Sequence, residues 1–279
     1  MNHGSCLCGD IAWTVAGDFT MLVNCHCSIC RKVHGSGYGA FVACPADGLR
    51  WVSGAGKIRN YQSSESGQRP FCPRCGSCVA AVSGKLAIIP AGNLDGDITR
   101  SLDSHIFMAH KACWFDVSDD APQFDEFPPD YPGVPVDSET RLPATEGAVG
   151  GSCCCGAVRY EFDGPADRMV HCHCADCRKA RSAPFATHVF VARDRFRWTG
   201  GKEDLVHFED ATLTHLPVSF CRTCSSSMPV QVDSERMMLP AGAIDQDPGI
   251  RPQAHIHVAS KASWEEITDD LPQFDGDPT

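Results

Sequence analysis

The chain has 279 residues, enough for one large or two ordinary domains, and its formal net charge is −11. That charge repels phosphate backbones and anionic lipid, which makes nucleic acids and membrane surfaces poor partners. No apolar run approaches the ~20 residues that span a bilayer. The N-terminus lacks a basic segment followed by an apolar one, so we expect no secretory signal and a cytoplasmic location. Thiols stay reduced there, so the 18 cysteines are expected to bind metal rather than form disulfides.

The predicted elements are mainly β-strands. In chain order, DIAWTVAG alternates apolar and polar residues as a half-buried strand does, and AVRYEFDG repeats this pattern in the second half of the chain. Short apolar segments bounded by Gly and Pro predict further strands at GYGAFVAC, KLAIIPAG and FATHVFVA. No helical period extends beyond about two turns. With 25 glycines and 19 prolines, the sequence predicts a fold of many short strands.

The chain contains the same domain twice. Five blocks recur in the same order: GSCLCG and GSCCCG, CHCSICRK and CHCADCRK, FCPRCGS and FCRTCSS, PAGNLD and PAGAID, and HIFMAHKACW and HIHVASKASW. Equivalent residues lie 147 positions apart in the first blocks and 150 apart in the last, so the second copy has three additional loop residues. Each copy has about 130 residues, an ordinary domain size. We predict domains at 1–128 and 148–279, joined over 129–147 by a Pro-, Gly- and acid-rich linker or surface strap.

Each copy has four cysteines with the spacing of a closed zinc site. On an extended segment Cys6 and Cys8 would point to one side, and Cys72 and Cys75 form a knuckle in which Gly76 can adopt a positive φ. Two such pairs supply the four thiolates of a structural zinc. The equivalent residues in the second copy are Cys153, Cys155, Cys221 and Cys224. The alternative, four unrelated buried cysteines, is disfavoured because all four are duplicated.

A second set in each copy has three cysteines in a C-x-C-x-x-C spacing. These are Cys25, Cys27 and Cys30, and again Cys172, Cys174 and Cys177. The four-cysteine sets use their own sulfurs, so a zinc here would keep an exchangeable fourth position, as catalytic zinc does. Alternatively, His26 or His173 supplies the fourth bond. On a strand these side chains point away from the neighbouring cysteines, which favours packing or hydrogen bonding.

The sequence resembles the glutathione-dependent formaldehyde-activating enzyme family, which also includes the centromere protein V-like domains. The resemblance covers both copies and rests on GSCLCG, CHCSICRK, FCPRCGS, PAGNLD and the HIF block that ends in PQF. It implies two tandem β-tent domains, in which coiled antiparallel sheets are held by a four-cysteine zinc while a three-cysteine zinc faces a cleft. It also implies a carbon–sulfur lyase that joins or splits formaldehyde and glutathione.

The chemistry of a three-thiolate zinc favours a sulfur ligand. Its net charge is about −1, so it activates water less well than a three-histidine site does. A soft metal accepts an incoming thiol and holds it deprotonated. Taken with the family resemblance, this implies a small thiol adduct such as S-hydroxymethylglutathione as the expected substrate. We also expect the two copies to pair as an intramolecular pseudo-dimer.

Basic pairs follow the three-cysteine motifs in both copies. Arg31 and Arg178, each followed by a lysine (Lys32 or Lys179), are candidate catalytic residues. They can offset the negative charge of the metal site or hold a carboxylate of the substrate. The alternative is an ordinary solvated basic pair.

A recurrent block near the end of each copy supplies two candidate acid–base residues, His105 and His255, because histidine titrates near working pH. The alternative is a structural role, since HIF and HIH resemble strands. His257 has no histidine equivalent, because Phe107 occupies that place. The block also repeats Lys111, Trp114 and Asp120 as Lys261, Trp264 and Asp270.

Three functions compete for this sequence: a zinc lyase or hydrolase, a non-catalytic zinc module that binds a protein, and a thiol redox or metal-buffering protein. The open three-cysteine set favours the enzyme, because a purely structural site should be closed. The remaining cysteines are expected to be small buried fillers or incidental thiols. They are Cys44, Cys78, Cys113 and Cys154.

Overall fold

The computed structural model describes residues 1–65, 67–129, 140–211, 213 and 217–277. Ten strands and one helix form the described part of the first copy. In chain order they are β1 (Asn2–Ser5), β2 (Ala12–Val15), β3 (Met21–Cys25), α1 (Ser28–His34), β4 (Gly39–Pro45), β5 (Leu49–Ser53), β6 (Arg59–Gln62), β7 (Gln68–Phe71), β8 (Ala81–Ser83), β9 (Leu86–Pro90) and β10 (Ser104–Ile106).

The second copy repeats this order, with the single helix again after the third strand. Its elements are β11 (Ala148–Ser152), β12 (Arg159–Asp163), β13 (Arg168–Cys172), α2 (Ala175–Arg181), β14 (Ala186–Ala192), β15 (Phe196–Gly200), β16 (Leu205–Phe208), β17 (Val218–Cys221), β18 (Ser227–Met228), β19 (Val230–Gln231), β20 (Arg236–Pro240) and β21 (His255–Ile256). The mainly β prediction, with two tandem domains, is confirmed.

The sheets of the two copies correspond. In the first copy β1-β2-β5 form one sheet, β10-β3-β4-β9-β8 another, and β6-β7 a hairpin. In the second copy the matching sheets are β11-β12-β15, β19-β20-β14-β13-β21 and β16-β17-β18. Pairing is antiparallel except where β10 joins β3 and β21 joins β13 in parallel. The parallel strands bring the HIF and HIH segments beside the strands that carry the C-x-C-x-x-C motifs.

The two copies contact each other closely. A Cβ on Gly92 would lie 2.2 Å from the carbonyl oxygen of Ala183, and a Cβ on Gly242 would lie 2.0 Å from that of Arg31. Only glycine allows the two backbones to approach this far. Trp114, which is 2% exposed, packs into the second copy's core. Each copy therefore contributes residues to the packing of the other.

Two equivalent ion pairs cross between the copies. Lys32 Nζ lies 2.7 Å from Asp245 Oδ1, and both side chains are 1% exposed. Lys179 Nζ lies 2.6 Å from Asp95 Oδ1, with side chains 21% and 46% exposed. The solvated alternative for the basic pairs is therefore wrong at Lys32, which lies in a buried contact between the copies.

Part of the predicted linker falls outside the described residues, at 130–139. Thr140 lies against the first copy, where Lys32 Nζ donates to its carbonyl at 2.7 Å, and the residues that follow contact the second copy, as when Thr145 N donates to Glu161 at 2.8 Å. Each helix has seven residues, and none in the described ranges is long and apolar enough to span a membrane.

Candidate metal centres and the cleft between the copies

The four-cysteine sets converge as predicted, but a turn rather than a strand positions their first pair. Cys6 and Cys8 follow β1 in a turn in which Gly9 N donates to the Cys6 carbonyl at 3.0 Å. The expectation that Cys6 and Cys8 share one side of an extended segment is therefore wrong, although their sulfurs do meet. The second pair forms the expected knuckle, with Gly76 at φ 78°.

The four sulfurs of each set are spaced like a tetrahedron. The Sγ atoms of Cys6 and Cys8 are 3.5 Å apart, and those of Cys8 and Cys72 are 3.7 Å apart. In a tetrahedron with Zn–S bonds of about 2.3 Å, the ligand sulfurs lie about 3.8 Å apart. In both four-cysteine sets all four sulfurs lie within 4.8 Å of one another. This spacing fits a metal with four thiolate ligands.

The protonation of these thiols also favours a cation. Hydrogen bonds from the thiols of Cys6, Cys72 and Cys8 hold the pKa of Cys75 well below its usual range. The pKa of Cys6 is raised, because its proton is shared with Cys72 and Cys75 and further thiolates would repel one another. A bound dication removes that repulsion and allows all four thiols to ionise.

The three-cysteine sets form at the junction of a strand and a helix. Cys25 ends β3, Cys27 is the N-cap of α1, and Cys30 lies in the first turn. Cys30 N donates to Cys27 Sγ at 3.3 Å. This N-cap hydrogen bond holds the Cys27 sulfur against the first turn of the helix. Cys172, Cys174 and Cys177 occupy the same positions, with the same N–H···S contact at 3.3 Å.

Three sulfurs converge in each of these sets. The sulfurs of Cys25, Cys27 and Cys30 all lie within 4.8 Å of one another, and so do those of Cys172, Cys174 and Cys177. Among the described residues, no His, Cys, Asp or Glu joins either group as a fourth ligand. His26 faces elsewhere: its Nε2 lies 2.9 Å from His105 Nδ1. The hydrogen-bonding role favoured for His26 is therefore the one that it has.

A chain of hydrogen bonds joins the motif histidine to a carboxylate in each copy. His105 Nε2 lies 3.0 Å from both oxygens of Asp119, while its Nδ1 meets His26. In the second copy, His173, His255 and Asp269 repeat the chain at 2.8 and 3.0 Å. The sequence interpretation singled out Asp120 and Asp270, but the residue before each of them makes the contact.

Burial determines the state of the first ring in this chain. It lowers the pKa of His26 to about 3, with the neighbouring His105 acting in the same direction. The Asp119 carboxylate accepts from His105 Nε2–H, and the other nitrogen of that ring, Nδ1, meets His26 Nε2. The remaining nitrogen of the His26 ring, Nδ1, is buried and has no hydrogen-bond partner in the described structure.

The candidate arginines lie on the helices. Arg31 is 3% exposed and its Nε donates to the His26 carbonyl at 3.3 Å. Burial lowers the pKa of Arg178, which occupies the equivalent place on α2. Arg31 thus lies in the folded interior, and Arg178 is partly buried, each on the helix that begins at its motif, where it can offset negative charge.

Two further cations near the thiols were missed by sequence reasoning. Burial lowers the pKa of Arg69, but the charges of Cys30, Cys27 and Cys25 outweigh it and leave that pKa above its ordinary value. In the second copy burial lowers the pKa of Arg181, and the charges of Cys177 and Cys172 oppose that change only in part. The two arginines come from different elements, β7 and α2, so they are not equivalent positions.

A cleft of about 40 Å³ lies between the copies. Both His–Asp pairs reach it, and Tyr38 of the first copy donates to Glu265 of the second at 3.2 Å. The equivalents of Tyr38 and Glu265 are Phe185 and Phe115, whose rings stack 6.5 Å apart. The cleft therefore has a polar side and an aromatic side.

A larger cavity, about 390 Å³, lies on the second copy and is lined by none of the cysteines.

Glu265→Gln is expected to remove a pH-dependent cost from the fold. Burial raises the pKa of Glu265 to about 8. The hydrogen bond from Tyr38 and the charge of Lys261 act to lower that pKa, and the charge of Asp119 raises it further. Between an unfolded pKa of about 4.3 and the folded value, only the unfolded state has lost this proton, so stability falls as pH rises. Below that window the two proteins should be equally stable, and at pH 9 the variant should be the more stable one.

Urea midpoints of the metal-loaded proteins at pH 4.5, 7 and 9 measure this difference. Glu266→Gln at the exposed neighbouring residue is the matched control and should change nothing. An unchanged Glu265→Gln midpoint at pH 9 would contradict the prediction.

Comparison with known proteins shows the family. The model of the family described as "Glutathione-dependent formaldehyde-activating enzyme" matches residues 1–110 and, separately, residues 148–260. The chain belongs to the glutathione-dependent formaldehyde-activating enzyme family. The two matches confirm the predicted tandem duplication of that family's domain.

Two individual proteins resemble the chain. A Halomonas elongata protein provisionally named a glutathione-dependent formaldehyde-activating enzyme is 31% identical over 126 residues, which are 41% of this chain and 80% of that protein. A solved structure of a Rhodobacter sphaeroides protein is 24% identical, covers 37% of this chain and 97% of its own, and has a TM-score of 0.30.

The cysteines outside the metal sets differ in burial. Cys44 and Cys78 are 0% and 7% exposed, as fillers should be, whereas Cys113 is exposed. Cys154 is partly buried and packs against the apolar cluster around the first copy's three-cysteine set. None of the 18 cysteines of this formaldehyde-activating family member forms a disulfide in the structure.

Proposed function

We propose that this protein is a zinc-dependent carbon–sulfur lyase that acts on a small thiol adduct such as S-hydroxymethylglutathione. The observation that carries the proposal is the convergence of three sulfurs, without a fourth ligand in the described residues, in both copies. A purely structural site should be closed. Membership of the formaldehyde-activating family supports the choice of a thiol adduct over other substrates.

Zinc fits both kinds of site. The four-cysteine sets would hold it through Cys6, Cys8, Cys72 and Cys75, and through Cys153, Cys155, Cys221 and Cys224. The three-cysteine sets would hold it through three thiolates, where it would supply a soft Lewis acid that accepts the sulfur of a substrate. Thiols that must remain reduced for this chemistry agree with a cytoplasmic location.

The surrounding residues would hold the substrate and limit charge. Arg31 and Arg178 lie on the helices that begin at the motifs, and Arg69 and Arg181 lie beside the thiolates. A guanidinium there offsets the negative charge of the thiolates and can bind a carboxylate. His105 and His255 contact the rings of His26 and His173 directly, and the Asp119 and Asp269 carboxylates hold His105 and His255 in place.

We also propose that the two copies form an intramolecular pseudo-dimer. The reciprocal pairs Lys32–Asp245 and Lys179–Asp95 support it, as does the cleft to which both copies contribute. In this arrangement the domains are 1–128 and 148–279, and the segment between them connects the paired copies.

Glutathione is expected to bind the zinc-loaded protein with release of about one proton per site, because a thiol must lose its proton to coordinate a metal. Calorimetry in buffers of different ionisation enthalpy measures that release. S-methylglutathione is the matched control, since it keeps the peptide but has no thiol proton to lose. Equal binding by the two peptides, or binding without proton release, would exclude a metal–sulfur bond and with it the proposed substrate class.

A further inference from the structure

The two three-cysteine sets differ in how they are covered. All seven residues of α1 are buried, whereas in α2 only Arg181 is buried. Cys30 is 1% exposed, but its equivalent, Cys177, is partly exposed. The last cysteine of the motif and its helix are therefore enclosed in the first copy and partly accessible in the second, while the first two cysteines are buried in both.

Thr140 covers α1 and is held there by Ser28. The Thr140 N–H and hydroxyl both donate to Ser28 Oγ, at 3.0 and 2.9 Å. Ser28 is fully buried and comes directly after the ligand Cys27. The equivalent of Ser28 on α2 is Ala175, which has no hydroxyl with which to hold such a segment.

An aromatic pair covers the first set from another direction. The rings of Phe107 and Phe127 are 4.9 Å apart, edge to face, and both side chains pack in the apolar cluster that contains Cys25, Cys27 and Cys30. Their equivalents are His257 and Asp277, whose nitrogen and oxygen are 3.5 Å apart, with the Asp277 side chain 73% exposed. A hydrophobic cover has thus been replaced by a polar pair open to solvent.

Another position beside the thiols differs in polarity, although the residue there is buried in both copies. Phe41 packs among the first copy's thiols, whereas its equivalent, His188, places Nε2 3.3 Å from Cys177 Sγ. His188 is not part of the group whose ligand atoms all lie within 4.8 Å of one another, so it is not a fourth member of that group. A ring N–H at this distance stabilises a thiolate without occupying the fourth metal position.

We infer that the two sets are not equivalent: the second copy's set exchanges its fourth ligand with solvent and small thiols, while Phe127 and Thr140, here called the strap, enclose the first copy's set. This inference rests on the proposed function for the metal and its exchangeable ligand. The enclosure itself can be measured without any assay of lyase activity.

Metal release to a chromophoric chelator tests the inference. Zinc-loaded protein mixed with excess 4-(2-pyridylazo)resorcinol should release metal in separate phases, with the second copy's three-cysteine set about tenfold faster than the first copy's. Cys174→Ser should abolish the fast phase and Cys27→Ser should leave it unchanged. Loss of the fast phase in Cys27→Ser, or equal rates from the two sets, would overturn the inference.

Strap variants test the cause without altering a ligand. Ser28→Ala gives α1 the residue of α2, and Phe127→Asp gives the first copy the residue of the second. In a Cys174→Ser background, each should speed release from the first set by about tenfold, because hydrogen bonds or packing that close the site are lost. Ala175→Ser, on the uncovered helix, is the matched control and should leave both rates unchanged. Unaltered release in both strap variants would show that the strap does not enclose the site.

A thiol titration separates this inference from the proposed function. Cobalt-loaded protein should change its sulfur-to-cobalt absorption when glutathione is added, and Cys174→Ser should remove that change while Cys27→Ser keeps it. If the chelator reaches the second set first but glutathione has no effect, the enclosure stands and the thiol substrate falls. If glutathione acts equally through both sets, the enclosure falls and the thiol substrate stands.

Discussion

Replacing Cys221 with serine is expected to unfold the second domain. A closed four-thiolate zinc contributes apparent binding free energy of about 10–16 kcal/mol at pH 7, as much as the ~5–15 kcal/mol by which a whole domain is stable. Cys221 ends β17 and its sulfur lies 3.7 Å from that of Cys155, so it joins the sheet to the turn after β11. Losing this ligand removes both the metal and the connection between these elements.

Thermal melting and elemental analysis of gently purified protein measure the loss. Before the Cys221→Ser substitution the protein should contain two to four zincs, depending on how many of the three-cysteine sets retain metal. Cys174→Ser should keep the cooperative melt, because its set is proposed to be catalytic. Cys113→Ser is the matched control, since Cys113 is exposed and the second copy has Ser263 at that place. A melt lost in Cys174→Ser but kept in Cys221→Ser would reverse the proposed division between structural and catalytic sites.

The metal-site cysteines could be predicted because their evidence is local and repeated. Spacing alone groups Cys72 with Cys75, and duplication makes a chance grouping improbable. Spacing does not fix the backbone, however. Cys6 and Cys8 meet across a turn in which Ile11 N donates to Cys6 Sγ at 3.4 Å, although the sequence interpretation placed them on an extended segment. A C-x-C pair can bring its sulfurs together in either conformation.

The contacts of the candidate catalytic residues could not be predicted, because they depend on distant parts of the chain. His105 was identified and Asp120 was noted in the same recurrent block, but Asp119 is the residue that contacts His105. Nothing in the DD pair distinguishes the two before the fold fixes which carboxylate points inward. Arg69 gave no signal, because its equivalent is Val218 and the duplication therefore did not mark it.

The differences between the copies were visible in the sequence. Positions where the repeats disagree, such as Phe127 and Asp277, mark the places where the copies have diverged. The sequence interpretation noted one of them, Phe107 against His257. The sequence does not show that these two differences affect the accessibility of a metal site. That follows from the apolar cluster around the first copy's thiols, which is seen only in the three-dimensional structure.

Lys32→Met is expected to lower the free energy of unfolding by about 3–5 kcal/mol, because it leaves a carboxylate buried without its counter-charge. Asp245 would retain the hydroxyl of Ser152 at 2.6 Å but lose the ammonium at 2.7 Å. Burial already raises the pKa of Asp245, and Lys32 is the main group that lowers it. The loss should appear as a lower urea midpoint of the metal-loaded protein.

The equivalent ion pair provides the control for this prediction. Lys179→Met removes the same charge from the same helix position, but water reaches that pair, so the expected loss is only about 0–1 kcal/mol. Lys32→Met combined with Asp245→Leu should recover most of the stability, because a buried pair replaced as a whole leaves no isolated charge. Because Lys32 and Asp245 belong to different copies, the single variant should also separate the unfolding of the two domains into distinct transitions. If Lys32→Met and Lys179→Met lower the free energy of unfolding equally, the buried pair does not hold the copies together. Other contacts would then have to account for the pseudo-dimer.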